Sequence, residues 1–269
     1  MPPRIHVDVP LLAGTDLTLP AAASRHVQVL RLQPGDAITL FDGRGGQWQA
    51  AVLAMGRKDV TARLLAHQPL ERELHTPVTL ALGMPANERM DALVEKATEL
   101  GVATIAPLVC ERSVLRLAGE RAERRSAHWQ AIAVAACEQS GRNRVPQVLP
   151  PQPLRDWLAG MPAGGLRLVL TAPRPAEAGR PPRGSSQVAE PHWLESQADG
   201  TQPLRQRLAA HGGGPVSLLS GPEGGLSPAE LAAAAAAGHL PTTLGARVLR
   251  ADTAPLAALA VIAALESPA

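Results

Sequence analysis

The chain has 269 residues, of which 45% are hydrophobic, so it can form one large or two modest folded domains. Its 26 basic and 24 acidic residues give a net charge of +2, which permits a nucleic-acid partner without requiring one, and its 2% aromatic content argues against multi-base stacking. The two cysteines provide neither a disulfide framework nor metal-ligand spacing, no apolar run reaches membrane length and no signal peptide is evident, so we expect a cytoplasmic protein that binds no metal.

Residues 1–72 are predicted to form a small β domain. Short apolar runs separated by glycine-containing turns indicate strands at 4–9, 37–41, 47–53 and 59–65, with one helix at 21–30. Such a pattern favours a small barrel. For any one basic residue of this domain, a solvated surface charge is the commoner role, but RNA phosphates are an alternative partner. The candidates for that role are Arg4, Arg25, Arg31, Arg44, Arg57 and Lys58.

Residues 73–269 are predicted to form a second, α/β domain. Apolar runs typical of buried strands alternate with amphipathic segments, which argues for a mainly parallel sheet with helices on both faces. We predict strands at 78–82, 104–109, 166–170 and 216–219, and helices at 88–100, 120–139, 204–211, 228–237 and 255–265. Cys137 lies on the apolar face of its helix and is expected in the core.

Residues 171–203 interrupt this alternation. The segment contains six prolines together with glycine and serine, and it has little periodicity. We therefore predict a flexible insertion between a strand and a helix.

Two glycine-bearing loops, 220–227 and 244–253, are the strongest candidate for a site. The first follows a predicted strand, and both precede predicted helices, which is where α/β proteins bind ligands. Ser227, Pro228 and Glu230 have the positions of an N-cap, a first helical residue and a capping-box partner. A tight turn before a helix would explain the first loop alone, but two such loops close together favour a site.

A third candidate segment is 138–146, which follows the end of a long predicted helix. Arg142 and Arg144 could hold an RNA phosphate or the target base there. Arginines near a helix carboxyl terminus are also favourable through the helix dipole alone, so both interpretations stay open.

The sequence SGPEGGLSPAE at 220–230, followed by LGARVLRADTA at 244–254, resembles the carboxyl-terminal signature of the SPOUT superfamily of knotted methyltransferases. More narrowly, it resembles the ribosomal RNA small-subunit methyltransferase E family. The resemblance extends upstream through HVQVLRL at 26–32, EKATELGV at 95–102, ERS at 111–113 and EQSGRNRVP at 138–146. Together these blocks cover nearly the whole chain.

The resemblance implies a fold and an activity that spacing alone could not show. It implies a PUA-like RNA-binding barrel at residues 1–72 and a methyltransferase domain at 73–269 with a deep trefoil knot after Leu244. It implies S-adenosylmethionine as cofactor, N3 of a uridine in small-subunit ribosomal RNA as methyl acceptor, and a homodimer. The partner is then free ribosomal RNA or the assembled small subunit.

Site residues follow from the same resemblance and from the chemistry. N3 of uridine is normally protonated, so its proton must be removed; Glu223 and Asp252 are candidate bases, and Asp252 is explained equally well as an N-cap. Arg142 is a third candidate catalytic residue, and Arg144 is a candidate RNA contact. Arg247 and Arg250 could orient RNA or neutralise a developing oxyanion at the uracil carbonyls, with a solvated loop charge as the alternative. The resemblance assigns cofactor binding to Leu219, Gly221, Gly224, Leu244, Gly245, Val248 and Leu249, largely through backbone groups.

Two other functions stay open at this point. One is a SPOUT methyltransferase that acts on transfer RNA, against which the amino-terminal domain and the EQSGRNR block argue. The other is a ribosome-associated RNA-binding factor without catalytic activity, against which the intact glycine loops argue.

Overall fold

The computed structural model describes residues 2–85, 87–115, 117–172 and 200–266, and the chain divides into two compact units. Unit 1 comprises Met1–Glu73 and Gln130–Pro146, and unit 2 comprises Leu74–Trp129 and Gln147–Ala269. The segment 130–146, which the sequence interpretation placed in the second domain, therefore belongs to unit 1. Within the described ranges, no helix is both long and apolar enough to cross a membrane.

Unit 1 is built on a five-stranded sheet. Its elements are β1 (Arg4–His6), β2 (Asp16–Thr18), α1 (Ala21–Val29), β3 (Ala37–Phe41), β4 (Gln47–Met55) and β5 (Val60–Gln68). The strand order is β1-β3-β4-β5-β2, and every pair is antiparallel except β1 with β3. Alternate residues of β5 (Val60, Ala62 and Leu64) are buried, as the period of two in a half-buried strand requires. They share a core with Val27 of α1.

Unit 2 is built on an eight-stranded, entirely parallel sheet. Its strands are β6 (Val78–Gly83), β7 (Thr104–Val109), β8 (Gln147–Val148), β9 (Gln152–Pro153), β10 (Leu166–Leu170), β11 (Gln202–Pro203), β12 (Val216–Ser220) and β13 (Leu240–Thr243). The order is β11-β13-β10-β12-β6-β7-β8, with β9 also paired to β7. The predicted α/β class with a parallel sheet is confirmed.

The helices of the remaining segments are α2 (Asn87–Glu99), α3 (Gly119–Ser140), α4 (Leu154–Ala159), α5 (Leu204–Ala209), α6 (Pro228–Ala236) and α7 (Thr253–Glu266). Helices α4 and α6 share a core with Leu219 of β12, whereas α7 packs against α2 and β12. Because successive strand residues point to opposite faces, Leu218 and Leu219 pack on opposite sides of the sheet. Both are fully buried.

Most of the predicted insertion, residues 173–199, lies outside the described residues. Its last residues were misassigned, because Gln202–Pro203 forms β11 and pairs in parallel with β13. The sequence pattern also did not predict the short strands β2, β8 and β9, nor α4 and β13. Helix α4 is a six-residue segment, too short to show a helical period, and β13 contains Pro241, which argues against a strand.

Candidate active site

A cavity of about 1280 Å³ lies at the carboxyl ends of three neighbouring strands, β10, β12 and β13. Its walls include residues 169–172 after β10, the loop after β12 and the loop after β13. In a parallel sheet the carboxyl ends of adjacent strands share one edge, so the fold brings together loops that are far apart in sequence. The two glycine-bearing loops predicted from the sequence both line this cavity.

The first loop, residues 220–226, is packed too closely against its neighbours for larger side chains. A Cβ atom on Gly83, the last residue of β6, would lie 2.5 Å from the backbone nitrogen of Pro222. A Cβ atom on Gly221 would lie 2.9 Å from the backbone nitrogen of Leu226, and Gly225 has a φ of +69°. Glycine at these positions is therefore required by close backbone approach and by left-handed conformation.

Glu230 ties this loop to the one that follows β7. Its carboxylate is buried, and one oxygen accepts a hydrogen bond from the Ser227 backbone N–H at 2.8 Å, completing the predicted capping box of α6. The other oxygen accepts from the Glu111 backbone N–H at 2.8 Å. Arg112 then donates to the Gly224 carbonyl at 3.0 Å. Glu230 thus connects the loop after β12 to the loop after β7, whereas the sequence predicted for it only a role in the helix cap.

The second loop begins with a local hydrogen-bonded turn. The Thr243 hydroxyl accepts from the Gly245 N–H at 3.2 Å and donates to the Gly245 carbonyl at 3.1 Å. Gly245 has a φ of +117°, a conformation that side-chain-bearing residues rarely adopt. Val248 follows with 75% of its surface exposed and lines the same cavity.

The structure brings most of the predicted site residues of unit 2 together in the cavity. Leu219, Gly224 and Asp252 do not line it. Leu219 is a core residue, and Gly224 contributes its carbonyl to Arg112. The predicted residues that do line the cavity are Gly221, Glu223, Leu244, Gly245, Arg247, Val248, Leu249 and Arg250.

Asp252 immediately precedes α7 and lines a separate, smaller cavity of about 430 Å³ between α2 and α7. Its carboxylate accepts from the Thr253 hydroxyl at 3.5 Å. The two candidate bases are therefore placed differently, with Glu223 in the large cavity and Asp252 beside it.

Arg89 is a cavity residue that the sequence analysis missed. It lies in the first turn of α2, and its Nη1 atom is 3.4 Å from Oε1 of Glu223. Arg89 lines both cavities. No sequence motif indicates a role for Arg89, because an arginine in the first turn of an amphipathic helix is ordinarily a solvated surface residue.

In unit 1, the structure corrects the interpretation of Arg142. Its side chain is buried, and its guanidinium forms an ion pair with Glu73, with Nε 3.2 Å from Oε1. The helix ends at Ser140, and Gly141 follows with a φ of +87°. Arg142 therefore does not lie open to RNA, because it is enclosed and paired with a carboxylate 69 residues earlier in the chain.

Arg4 is corrected for the same reason. Its guanidinium donates to the side-chain oxygen of Asn143 at 2.6 Å and to the Arg142 carbonyl at 3.0 Å, and it lies 4.8 Å from the centre of the Phe41 ring. Burial lowers the pKa of Arg4, and the neighbouring Arg72 adds to this effect. A group enclosed in this way is a structural element of unit 1.

The other arginines of unit 1 that were assigned to RNA stay accessible. Arg25 and Arg31 are exposed, and Arg31 adopts a φ of +57° at the end of α1. Arg144 is exposed and forms an ion pair with Glu71, with Nε 3.2 Å from Oε2.

His239 is a buried histidine at the start of β13 that also lines the large cavity. Its Nδ1 atom is 3.2 Å from the Ala234 carbonyl, so Nδ1 carries the proton of the neutral ring. Burial lowers the pKa of His239 to about 4, although the hydrogen bond to Ala234 opposes this shift. The ring is therefore neutral near pH 7.

Both cysteines are buried within the fold. Burial raises the pKa of Cys110 to about 12 and that of Cys137 to about 11, so both thiols are protonated, and the predicted core position of Cys137 is confirmed. Within the residues that the structure describes, no group of three or more histidine, cysteine or acidic side chains could hold a metal ion.

Comparison with protein families assigns both parts of the chain. A family model described as an RNA methyltransferase domain matches residues 72–181 and 185–263. A second model, described as an RNA methyltransferase PUA domain, matches residues 19–65.

Individual relatives match the chain along almost all of its length. The ribosomal RNA small subunit methyltransferase E of Synechocystis sp. is 34% identical over 252 residues, covering 93% of this chain and 73% of that protein. The solved structure of the corresponding Neisseria gonorrhoeae protein, bound to S-adenosyl methionine, is 34% identical with a TM-score of 0.81, and 98% of each chain is covered. A Legionella pneumophila protein, solved in complex with the same cofactor, is 30% identical with a TM-score of 0.82 and equal coverage.

Proposed function

The chain belongs to the ribosomal RNA small subunit methyltransferase E family, and from this premise we propose that it transfers a methyl group from S-adenosylmethionine to N3 of a uridine in small-subunit ribosomal RNA. The observation that carries the proposal is the cavity formed by two glycine-bearing loops at the carboxyl edge of the parallel sheet. Relatives that match 98% of the chain were solved with this cofactor bound.

The residues around the cavity fit the cofactor. Ligand pockets for small molecules typically enclose about 300–1,000 Å³, and the cavity of about 1280 Å³ exceeds that range, which leaves room for a nucleotide base beside the cofactor. A Cβ atom on Gly225 or Gly245 would meet no atom within 4 Å, so the backbone faces open space at both glycines. Backbone groups of Gly221 and Leu244–Leu249 would hold the cofactor, among them the Gly245 carbonyl, which keeps a second lone pair beside its hydrogen bond from Thr243.

S-adenosylmethionine supplies a methyl group that is already activated by its attachment to a sulfonium. The protein must therefore place N3 of the uracil in line with that methyl group and accept the N3 proton. As the bond from N3 to carbon forms, the carbon–sulfur bond breaks and its electron pair stays on sulfur, while the N3 proton passes to a base. Glu223, which lines the cavity, is better placed for this than Asp252, which lines the neighbouring one.

RNA binding is assigned to the accessible arginines. Arg247 and Arg250 are exposed at the cavity, and within the described part of the chain neither has an acidic partner. In unit 1, Arg25, Arg31 and Arg144 stay candidates for phosphate contacts, because arginine binds phosphate well and all three are exposed. Arg4 and Arg142 are not included.

Three further features belong to the proposal through the family resemblance. They are a barrel formed by the sheet of unit 1, a trefoil knot after Leu244 and a homodimer. The dimer has a direct test in light scattering coupled to size-exclusion chromatography. A monodisperse, active monomer of about 28 kDa would contradict it.

The activity is tested with methyl-labelled S-adenosylmethionine and three substrates: small ribosomal subunits that lack the modification, free small-subunit RNA, and transfer RNA. The labelled nucleoside is identified by mass spectrometry against a standard of N3-methyluridine. N3-methyluridine in small-subunit RNA is the expected product. Methylation of transfer RNA alone, or of another atom, would overturn the proposed substrate; a lack of both product and calorimetric cofactor binding would favour the non-catalytic factor.

Glu223→Gln and Asp252→Asn separate the two candidate bases under the same conditions. Loss of a general base costs about 10²–10⁴-fold in rate, and we expect a loss of that order for Glu223→Gln only. A larger loss in Asp252→Asn than in Glu223→Gln would transfer the role to Asp252.

A further inference from the structure

Arg89 lines the large cavity and is only partly buried. It lies in the first turn of α2, directly after β6, and β6 is the neighbour of β12 in the sheet. The side chain lines the large cavity together with Gly221, Pro222 and Glu223. Its charged end is therefore placed beside the first glycine loop.

The guanidinium of Arg89 makes few hydrogen bonds to the described part of the protein. In the described part of the chain, its hydrogen bond to Glu223 at 3.4 Å is its sole side-chain hydrogen bond, and 42% of the side chain is exposed. A guanidinium has five N–H donors. Most of them therefore have no described protein partner, in contrast to Arg142, whose guanidinium is enclosed and paired.

The position of Arg89 matches the place where negative charge must be accommodated. Arg89 lines the cavity that contains Glu223 and also the smaller cavity that contains Asp252, and its guanidinium contacts Glu223. The first turn of a helix adds partial positive charge from its free N–H groups. Removal of the N3 proton leaves a uracil anion whose charge resides on the two carbonyl oxygens that flank N3. A guanidinium, which stays protonated, is suited to such oxygens.

We propose that Arg89 is a catalytic residue whose guanidinium donates hydrogen bonds to a carbonyl oxygen of the target uracil as N3 loses its proton, and that Glu223 holds it in place before RNA binds. This inference rests on the proposed N3 methylation. It assigns Arg89 to the base, and not to a phosphate of the RNA backbone. The two roles differ in what they change: a phosphate contact alters RNA binding, whereas stabilisation of the uracil anion alters kcat and its dependence on pH.

The test compares Arg89→Met and Arg89→Lys with the wild-type chain at saturating cofactor and RNA. Removal of one donor to a developing oxyanion costs about 10²–10³-fold in kcat, and we expect Arg89→Met to lose about 10²-fold, with Arg89→Lys partly active. The rising limb of the kcat–pH profile should move to higher pH in Arg89→Met, because the uracil N3–H becomes harder to ionise. Calorimetric affinity for S-adenosylmethionine should change less than twofold.

Arg205→Met is the matched control. Arg205 is an exposed arginine in the first turn of α5, it lines neither cavity, and its substitution makes the same change of charge. Its kcat and pH profile should equal those of the wild-type chain. An increase of KM for RNA in Arg89→Met with unchanged kcat and pH profile would make Arg89 a phosphate contact and overturn the inference. If the wild-type chain makes no N3-methyluridine, the proposed function itself fails, and this outcome is seen before any variant is compared.

Discussion

Two segments of this protein look alike in sequence and differ in the folded chain. Residues 141–144 and 245–250 each contain a glycine followed by two arginines. In unit 1, Arg142 and Arg144 meet Glu73 and Glu71. In unit 2, Arg247 and Arg250 lie exposed at the cavity, without an acidic partner in the described residues.

The difference shows that a distant carboxylate withdraws an arginine from the surface when the pair is buried, as it is for Arg142 with Glu73, whereas Arg144 stays exposed despite its pair with Glu71. The partners in unit 1 come from residues 71–73, about 70 positions earlier in the chain, so the local sequence around Arg142 contains no sign of them. Arg142 is consequently a structural element of its unit, whereas Arg144 stays exposed and the second segment borders an open cavity.

The largest effect that tests this contrast is expected for Arg142→Met. Removal of one partner from a buried ion pair costs about 3–5 kcal/mol because the other charge is left uncompensated. We therefore expect the free energy of unfolding, measured by urea denaturation, to fall by about that amount. Arg144→Met is the control, since an exposed pair contributes about 0–1 kcal/mol. If Arg142→Met loses methylation while its stability is unchanged, Arg142 would instead be a catalytic residue.

On the other side of the contrast, Gly83→Ala should disturb the open site. The new Cβ atom would lie 2.5 Å from the Pro222 nitrogen, so the first glycine loop must shift. We expect S-adenosylmethionine affinity to fall at least tenfold, which corresponds to about 1.4 kcal/mol or more. Gly212→Ala is the matched control, because a Cβ atom there meets no atom within 4 Å. Wild-type affinity in Gly83→Ala would mean that the cofactor does not depend on this loop.

His239 predicts a pH dependence of stability. Its pKa is about 4 in the folded chain and 6.5 as a free side chain. Between pH 6.5 and pH 4, His239 is therefore protonated in the unfolded chain and neutral in the folded chain. The contribution of His239 to the free energy of unfolding is fully present above pH 6.5 and decreases as the pH falls towards 4. At pH 5 the decrease is about 2 kcal/mol. The measurement is urea denaturation at pH 7 and pH 5. In His239→Phe, which cannot titrate, the difference should shrink by that amount; an unchanged difference would contradict the assignment.

The last prediction concerns Glu230, which connects the first glycine loop to the loop after β7. Glu230→Gln replaces one carboxylate oxygen by a donor, so the N–H of Ser227 or of Glu111 loses its partner at a cost of about 1–3 kcal/mol. Ser227→Ala removes the serine hydroxyl of the capping box at a cost of about 1 kcal/mol and leaves the contact to Glu111 in place. Cofactor affinity should therefore fall in Glu230→Gln and stay at the wild-type value in Ser227→Ala. Equal affinity in the two variants would show that Glu230 serves only as a helix cap.

The regular elements were predictable where a period extends over enough residues. Strands β3, β7 and β10 have the predicted bounds, and α2 differs by one residue at each end. Strand β13 was missed because Leu240–Thr243 is short and contains a proline, yet it pairs with β10 and β11. Its place in the sheet depends on partners that a local pattern does not contain.

The sequence by itself determined the α/β class, the two glycine-bearing loops and the cap of α6, because each depends on residues within one or two turns of the chain. Tertiary structure decided which of these residues line the cavity. It placed Glu223 in the large cavity and Asp252 beside it, added Arg89, and enclosed Arg4 and Arg142 within unit 1. The physical reason is that burial and charge pairing bring together residues tens of positions apart in the chain, and a local sequence pattern does not contain those contacts.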